Sequence, residues 1–216
     1  MPYPGDFSII IPACQEQAYI ESTLLSLPDS AEVIVVCNGC TDSTALIAKK
    51  YAKVIVIKER NVSRARNIGA KKSRGSMLIF LDADTSFSSQ DILKKIEASL
   101  KSSVIGTCKV LPDKPKLKYK IATWLKNKLL FTHWTTGIIF CSRNTFIKTK
   151  GFNEQLGKKE DRDFVNRCLK YGKFKVADCY VINSMRRYEK KGILRHAFYW
   201  IKETIKPTKE EYEIIR

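Results

Sequence analysis

Long hydrophobic runs are missing from this chain. No stretch approaches the roughly 20 apolar residues that cross a bilayer, and the opening Met1-Pro2-Tyr3-Pro4-Gly5-Asp6 lacks the basic and apolar regions of a secretory leader. The expected location is therefore the cytoplasm. Two phosphate-binding patterns are also absent: no Gly-x-Gly-x-x-Gly follows the first apolar run, and Gly-x-x-x-x-Gly-Lys-Ser/Thr occurs nowhere, which disfavours dinucleotide dehydrogenases and P-loop enzymes. Histidine is limited to His133 and His196. The Cys-x-x-Cys of Cys37 and Cys40 has no second such pair or His pair to complete a zinc set. Seven cysteines cannot all pair within one chain, and most stand alone in apolar or helical segments, which favours reduced, buried thiols. Acids are scarce beside bases, 22 against 39, for a formal net charge of +17. Such an excess suits nucleic acid, an anionic membrane or a phosphorylated substrate. The bases are spread from Lys49 onward rather than gathered in one run, and no zinc-finger or RRM signature accompanies them, so charge alone ranks these partners poorly and nucleic acid is disfavoured.

What is present is a chain of 216 residues, 44% hydrophobic, long enough to bury a real core. Phe7-Ser8-Ile9-Ile10-Ile11 reads as a strand closed by Pro12. A polar turn, Ala13-Cys14-Gln15-Glu16, leads to apolar residues at helical spacing from Tyr19 to Leu27. The scheme repeats. Glu32 to Cys37 is a β-branched strand, Asn38-Gly39 a turn, and Thr41-Asp42-Ser43-Thr44 the cap of a helix to about Tyr51. Val54 to Ile57 is a third strand. Strands alternating with helices predict an α/β fold with a mainly parallel sheet covered on both faces.

The stretch Met77-Leu78-Ile79-Phe80-Leu81-Asp82-Ala83-Asp84 has the length and composition of a buried strand ending in two carboxylates. Ligands collect at the carboxyl ends of strands in open α/β sheets. Two acids one residue apart there suit a divalent cation and a sugar hydroxyl, and Ala83 lets a ligand approach the backbone; the bland alternative is that they solvate a turn. Before this strand, Arg60 to Lys72 reads as a helix with arginines near its start, either a solvated basic face or a seat for a diphosphate. Farther on come a helix around Gln90 to Leu100, a strand around Val104 to Leu111, a basic amphipathic segment from Leu117 to Phe131, and a strand Ile138 to Cys141. Glu160, Asp161 and Asp163 then open a helix. They either complement its dipole or present a general base to a cleft.

Together these residues carry a resemblance. Ile9-Ile10-Ile11-Pro12 with Glu16, Val35 to Thr44, Ala65-Arg66-Asn67-Ile68-Gly69, Phe80 to Asp84, Thr136-Gly137, Gly151-Phe152-Asn153 and Glu160-Asp161 follow one another as in a family 2 glycosyltransferase of the GT-A fold. The chain resembles that family from about Phe7 to Gly172. The resemblance implies a Rossmann-like sheet, a UDP- or GDP-type nucleotide-sugar donor, a divalent cation (Mn2+ or Mg2+), and inversion at the anomeric carbon. Carried over, it implies that Pro12, Ala13, Glu16 and Asn38 line the nucleoside pocket and that Arg66 approaches the donor phosphates. It further implies that Asp82 and Asp84 hold ribose and metal, with Ala83 in the donor site and Asp161 as the base. Gln15 stands where the family commonly has Asn, and Cys37 where it commonly has Asp, which leaves the nucleobase open.

The expected organisation is one glycosyltransferase domain: a donor half at about 7–111, an acceptor and catalytic half at about 112–183, and a basic, helical tail at about 184–216. Gly137, Glu160, Arg186 and Arg187 are the candidate acceptor contacts. Arg186-Arg187 and Lys190-Lys191 precede an apolar-rich segment with Ile193, Phe198, Trp200 and Ile201. That segment reads either as a closing helix or as an interfacial one beside an anionic, lipid-linked acceptor at the inner membrane face. A basic nucleic-acid-binding domain and a catalytically silent sugar-nucleotide binding module are the competing classes.

Overall fold

Seven consecutive residues of β1 (Phe7–Ala13) are buried, as a strand covered on both faces requires. The computed structural model describes residues 6–192; the apolar-rich segment with Arg195, His196 and Trp200 lies outside them. After β1 come α1 (Ile20–Leu25), β2 (Glu32–Asn38), α2 (Thr44–Ala48), β3 (Lys53–Ile57), α3 (Val62–Lys72) and β4 (Met77–Leu81). These four strands pair in parallel, with Ile10 of β1 opposite Ile34 of β2 and Phe80 of β4.

The second half departs from simple alternation. It comprises β5 (Thr85–Phe87), α4 (Ile92–Leu100), β6 (Ile105–Pro112), α5 (Leu117–Lys128), β7 (Ile138–Ser142), α6 (Arg143–Lys148), α7 (Glu160–Cys168), β8 (Phe174–Asn183) and α8 (Arg186–Lys191). The sheet order is β3-β2-β1-β4-β7-β6-β8-β5. β7 runs antiparallel between β4 and β6, and β5 antiparallel on β8, so the sheet is mixed while most of its strands share one direction.

Period-two alternation divides the core between the two faces. Ile9, Ile11, Ile79 and Leu81 point to one face with Ile92 and Ile96 of α4. Ile10, Leu78 and Phe80 point to the other, where Phe146, Phe152 and Phe164 gather. The Phe152 and Phe164 rings stack at 4.2 Å, and Phe80 meets Phe152 edge-on at 4.9 Å. α3 lies close on β1: a Cβ at Gly69 would fall 2.3 Å from Ile10 Cγ2.

Pro12 does not close β1, contrary to the sequence expectation. The strand continues through it, with Pro12 opposite Val36. The ladder to β4 ends at Ile10, so beyond that point β1 has an unpaired side on which a missing N–H is tolerated.

Candidate functional site

β4 ends where the strand direction changes, with Asp82, Ala83 and Asp84 directly beyond Leu81. Backbone bonds fix all three. Asp82 N–H donates to Gly137 O at 2.8 Å, Ser184 N–H donates to Asp84 O at 3.1 Å, and the Thr23 hydroxyl donates to Ala83 O at 2.9 Å. Gly137 holds φ +85°, and a Cβ there would lie 2.6 Å from Thr85 Oγ1 and 3.5 Å from Asp82 Oδ2. Glycine at 137 thereby supports Asp82.

α3 is capped by Asn61, whose side chain accepts from Arg64 N–H at 2.9 Å. Two arginines one turn inside this cap go opposite ways. Arg64 faces out and pairs with Glu59. Arg66 faces in, its side chain 8% exposed, with Nη1 3.0 Å from Glu160 Oε1 and Nη2 3.1 Å from Asp82 Oδ1. Its guanidinium also covers the Phe152 ring at 5.0 Å. Asn67, next in sequence, grips the backbone of Phe152 from both sides, accepting from its N–H at 2.8 Å and donating to its O at 2.9 Å. That clamp brings the loop ahead of α7 against α3.

α7 begins with Glu160 and Asp161, and the two acids have different environments. Glu160 is buried, and burial pushes its carboxyl above the usual range against the pull of Arg66. In this structure it is the buried counter-ion of Arg66. Asp161 is half-buried and accepts from the Thr135 hydroxyl at 2.7 Å through Oδ2 and from Arg162 N–H at 2.8 Å through Oδ1.

Glu16 anchors the opposite wall. Its N–H donates to Thr44 Oγ1 at 2.8 Å, and its carboxylate takes both arms of Arg186 at 2.7 Å each. Arg186 Nη2 also lies 2.9 Å from Asp84 Oδ2, and the guanidinium covers the Tyr19 ring at 4.6 Å. Burial disfavours the Arg186 charge, but Glu16 and Asp84 outweigh it and hold its pKa above the ordinary arginine value. The fork of Arg186 thus bridges two carboxylates of the donor half. Arg187 adds its field to Asp82 and Glu16.

Other expected residues take supporting positions. Pro12 and Ala13 are buried at the end of β1. Asn38, also buried, donates through Nδ2 to Ala13 O at 2.9 Å, which ties the end of β2 to the end of β1. Gln15, at φ +60°, bridges the loops after β1 and β2: its Oε1 accepts from Thr41 N–H at 2.8 Å and Asp42 N–H at 3.2 Å. Cys37 is buried, and the Cys40 thiol donates to Ala13 O at 3.3 Å. The Cys-x-x-Cys is thus part of this same loop junction, and all seven cysteines are free thiols.

Three contributors escaped the sequence reading. Thr135 and Tyr19 carry no pattern that marks them. Lys126 carries a weak one, sharing a helical face with Tyr119 and Thr123, the buried side of α5. It is half-buried; desolvation draws its pKa below the ordinary lysine value, against the pull of Asp82 and Asp161.

Among the described residues, no group of three or more His, Cys, Asp or Glu side chains is arranged to hold a metal ion. The donor set at β4 is two hard carboxylates. One oxygen of each lies outside the ion pairs with Arg66 and Arg186. This fits a cation that takes one or two carboxylates and completes its shell with substrate phosphates and water, the habit of Mg2+.

Residues 8–188 match the family model described as Glycosyl transferase family 2. An uncharacterized glycosyltransferase of Haemophilus influenzae is 26% identical over 189 residues, 77% of this chain and 63% of that protein. The undecaprenyl-phosphate 4-deoxy-4-formamido-L-arabinose transferase of Pseudomonas aeruginosa is 30% identical over 123 residues, 49% of this chain and 36% of that one. Among solved structures, S. aureus TarS 1-349 in complex with UDP-GlcNAc superposes with a TM-score of 0.66 at 20% identity, over 82% of this chain and 58% of that one. The mannosyltransferase PcManGT from Pyrobaculum calidifontis, in complex with GDP-Man and Mn2+, gives 0.64 at 17% identity, over 94% and 66%. At these identities the structural likeness carries the fold, a GT-A sheet. The chain spans less than two thirds of the first of these relatives, 63% of its length.

Proposed function

Because the chain belongs to glycosyl transferase family 2, we propose that it transfers a sugar from a nucleoside-diphosphate sugar of the UDP or GDP type to a hydroxyl or phosphate acceptor, with inversion. The observation that carries this reading is the chain of ion pairs through Arg66. One guanidinium bonds Asp82 at the end of β4 and Glu160, the neighbour of Asp161, so one side chain ties the donor-side strand end to the start of the helix that carries the candidate base.

Asp82 and Asp84 would hold the divalent cation, which when bound neutralises the charge of a diphosphate leaving group. Arg66 adds a fixed positive charge already oriented by Glu160, so negative charge developing on the departing nucleotide meets a preorganised partner. Asp161, oriented by Thr135, takes the acceptor hydroxyl's proton as that oxygen attacks the anomeric carbon. The bond to the acceptor forms as the bond to the diphosphate breaks, and a single displacement inverts the configuration. Lys126, within the field of Asp82 and Asp161, favours an acceptor that brings negative charge. The likeness to an undecaprenyl-phosphate transferase supports a lipid-linked one.

Thermal-shift titration of UDP and GDP, each with and without Mn2+, tests the donor side. We expect one nucleotide to stabilise the chain only with the cation, by roughly 2.7 kcal/mol at a hundred times its dissociation constant. Asp84→Asn should remove the cation dependence and the activity. Full turnover in excess EDTA would overturn the metal assignment, and indifference to both nucleotides the donor assignment.

A further inference from the structure

Residues 114–128 hold six lysines and no acid, and most of that stretch is α5. Among the described residues, the helix is fastened to the sheet by one side. Tyr119 and Thr123 are buried, and the Asn127 side chain pairs with the Val110 backbone, accepting from N–H at 2.8 Å and donating to O at 2.9 Å.

At 100° per residue, the opposite side of the helix carries Leu117, Ile121, Trp124 and Leu125. A helix on a water-soluble surface turns its apolar stripe inward. Here the stripe is exposed, with Leu117 74% and Trp124 57% accessible, and Phe131 just beyond the helix 75%. A contiguous exposed apolar face marks an interaction site. Lys116, Lys118, Lys120 and Lys128 are exposed around it, and Lys128 Nζ sits 5.6 Å from the centre of the Trp124 ring. Aliphatic side chains to enter hydrocarbon, an indole for the headgroup level, and a rim of one charge sign form the surface chemistry that fits an anionic bilayer. Three of the four residues of the stripe are aliphatic and offer little to nucleic-acid bases, which stack on aromatic rings.

We propose that the outer face of α5, Leu117, Ile121, Trp124 and Leu125 with its rim of lysines, docks the protein on an anionic lipid surface. The inner face of the same helix carries Lys126 into the field of Asp82 and Asp161. Docking through α5 therefore sets the acceptor side of the site beside the leaflet. The purpose of this contact rests on the lipid-linked acceptor reading; the contact itself does not, and vesicles without sugar donor separate the two.

The test is co-sedimentation of the full chain with vesicles of phosphatidylcholine alone or mixed with phosphatidylglycerol, across ionic strength. We expect binding to the anionic vesicles at low salt, release as salt rises, and none to phosphatidylcholine alone. Lys118→Gln and Lys120→Gln should each weaken partitioning about fivefold, the equivalent of roughly 1 kcal/mol per lysine. The triple variant Ile121→Ser, Trp124→Ser, Leu125→Ser changes only exposed side chains, so it should keep the wild-type circular dichroism and nucleotide-induced thermal shift while losing vesicle binding. The proposal is overturned if that variant binds vesicles like wild type. It is equally overturned if Phe198→Ser, Trp200→Ser abolishes binding and the α5 variants do not. A wild type that ignores vesicles but forms dimers dissolved by the triple variant, or that binds oligonucleotides through the same lysines, would also overturn it.

Discussion

Arg66 and Glu160 meet at 3.0 Å across 94 positions of sequence, each with only 8% of its side chain exposed. A buried pair of this kind contributes little net stability, but breaking one side of it leaves a charge stranded. Arg66→Met should therefore cost about 3–5 kcal/mol in urea denaturation. The double variant Arg66→Met, Glu160→Met should lose less than the sum of the two single changes. Strict additivity would mean the two groups do not act as a pair.

Glu160 also sets a pH dependence. Its carboxyl is raised by burial above 4.5, so the folded chain holds that proton more tightly than the unfolded chain does. Stability from this group is present below the ordinary carboxylate pKa and is lost as pH rises through the higher folded value. Relative to Glu160→Gln, which cannot titrate, wild type should become less stable from pH 4.5 upward, read as urea midpoints at successive pH values. A difference that stays flat across that range would remove Glu160 as the cause.

Asp161 is tested through kinetics. Asp161→Asn should lower kcat by about 10²–10⁴ while donor affinity stays within a few-fold. Thr135→Val, which removes the 2.7 Å bond to Oδ2, should give a smaller loss in the same direction. Normal turnover by Asp161→Asn would reassign the acids of α7 to the helix dipole.

Arg186 contacts both Glu16 and Asp84, and a guanidinium on Asp84 competes with any cation that needs it. Arg186→Met should tighten nucleotide-free Mn2+ binding by roughly 1 kcal/mol, or about fivefold, as measured by electron paramagnetic resonance. Weaker binding would show that Arg186 instead arranges the carboxylates for the ion.

Gly137→Ala meets both an unfavourable φ and a contact of 2.6 Å with Thr85 Oγ1. It should cost at least about 2 kcal/mol. Because Gly137 O receives the Asp82 N–H, kcat should fall with it. An unchanged thermal midpoint would mean the loop has room to relax.

The donor half was legible because its signals are local. Apolar-rich runs become β1 to β4, and the acids after Leu81 mark the sheet's turning point. Three later elements were missed or shortened for physical reasons. β5 is three residues, Thr85–Phe87, two of them hydroxylic. α6 is short and polar, held by the Ser142 cap. β8 begins at Phe174, and its buried positions Ala177, Cys179 and Val181 do alternate with exposed ones, but two of the three are small and Lys175 and Asp178 interrupt any apolar run, so the strand is poorly marked in sequence. In the site, the acids were visible as residue types while their partners were not. Arg186 reaches Glu16 over 170 positions, and no local pattern encodes a contact of that range. Arg66 and Arg64 look alike in sequence, and only the packing of α3 sends one inward.

The position of β7 also bears on how the chain is made. β4 lies inside the finished sheet, yet one of its two edges is completed only by β7, which pairs Ile138 with Leu81. At about 5–20 residues per second of translation, the ribosome needs roughly 3–11 s to make the chain between those two residues. During that interval the apolar edge Met77–Leu81 has no antiparallel neighbour, the condition under which nascent chains associate through strand edges. Asp82 and Asp84, just past the end of that strand, and Arg74, three residues before it, are then the flanking charges that oppose such pairing.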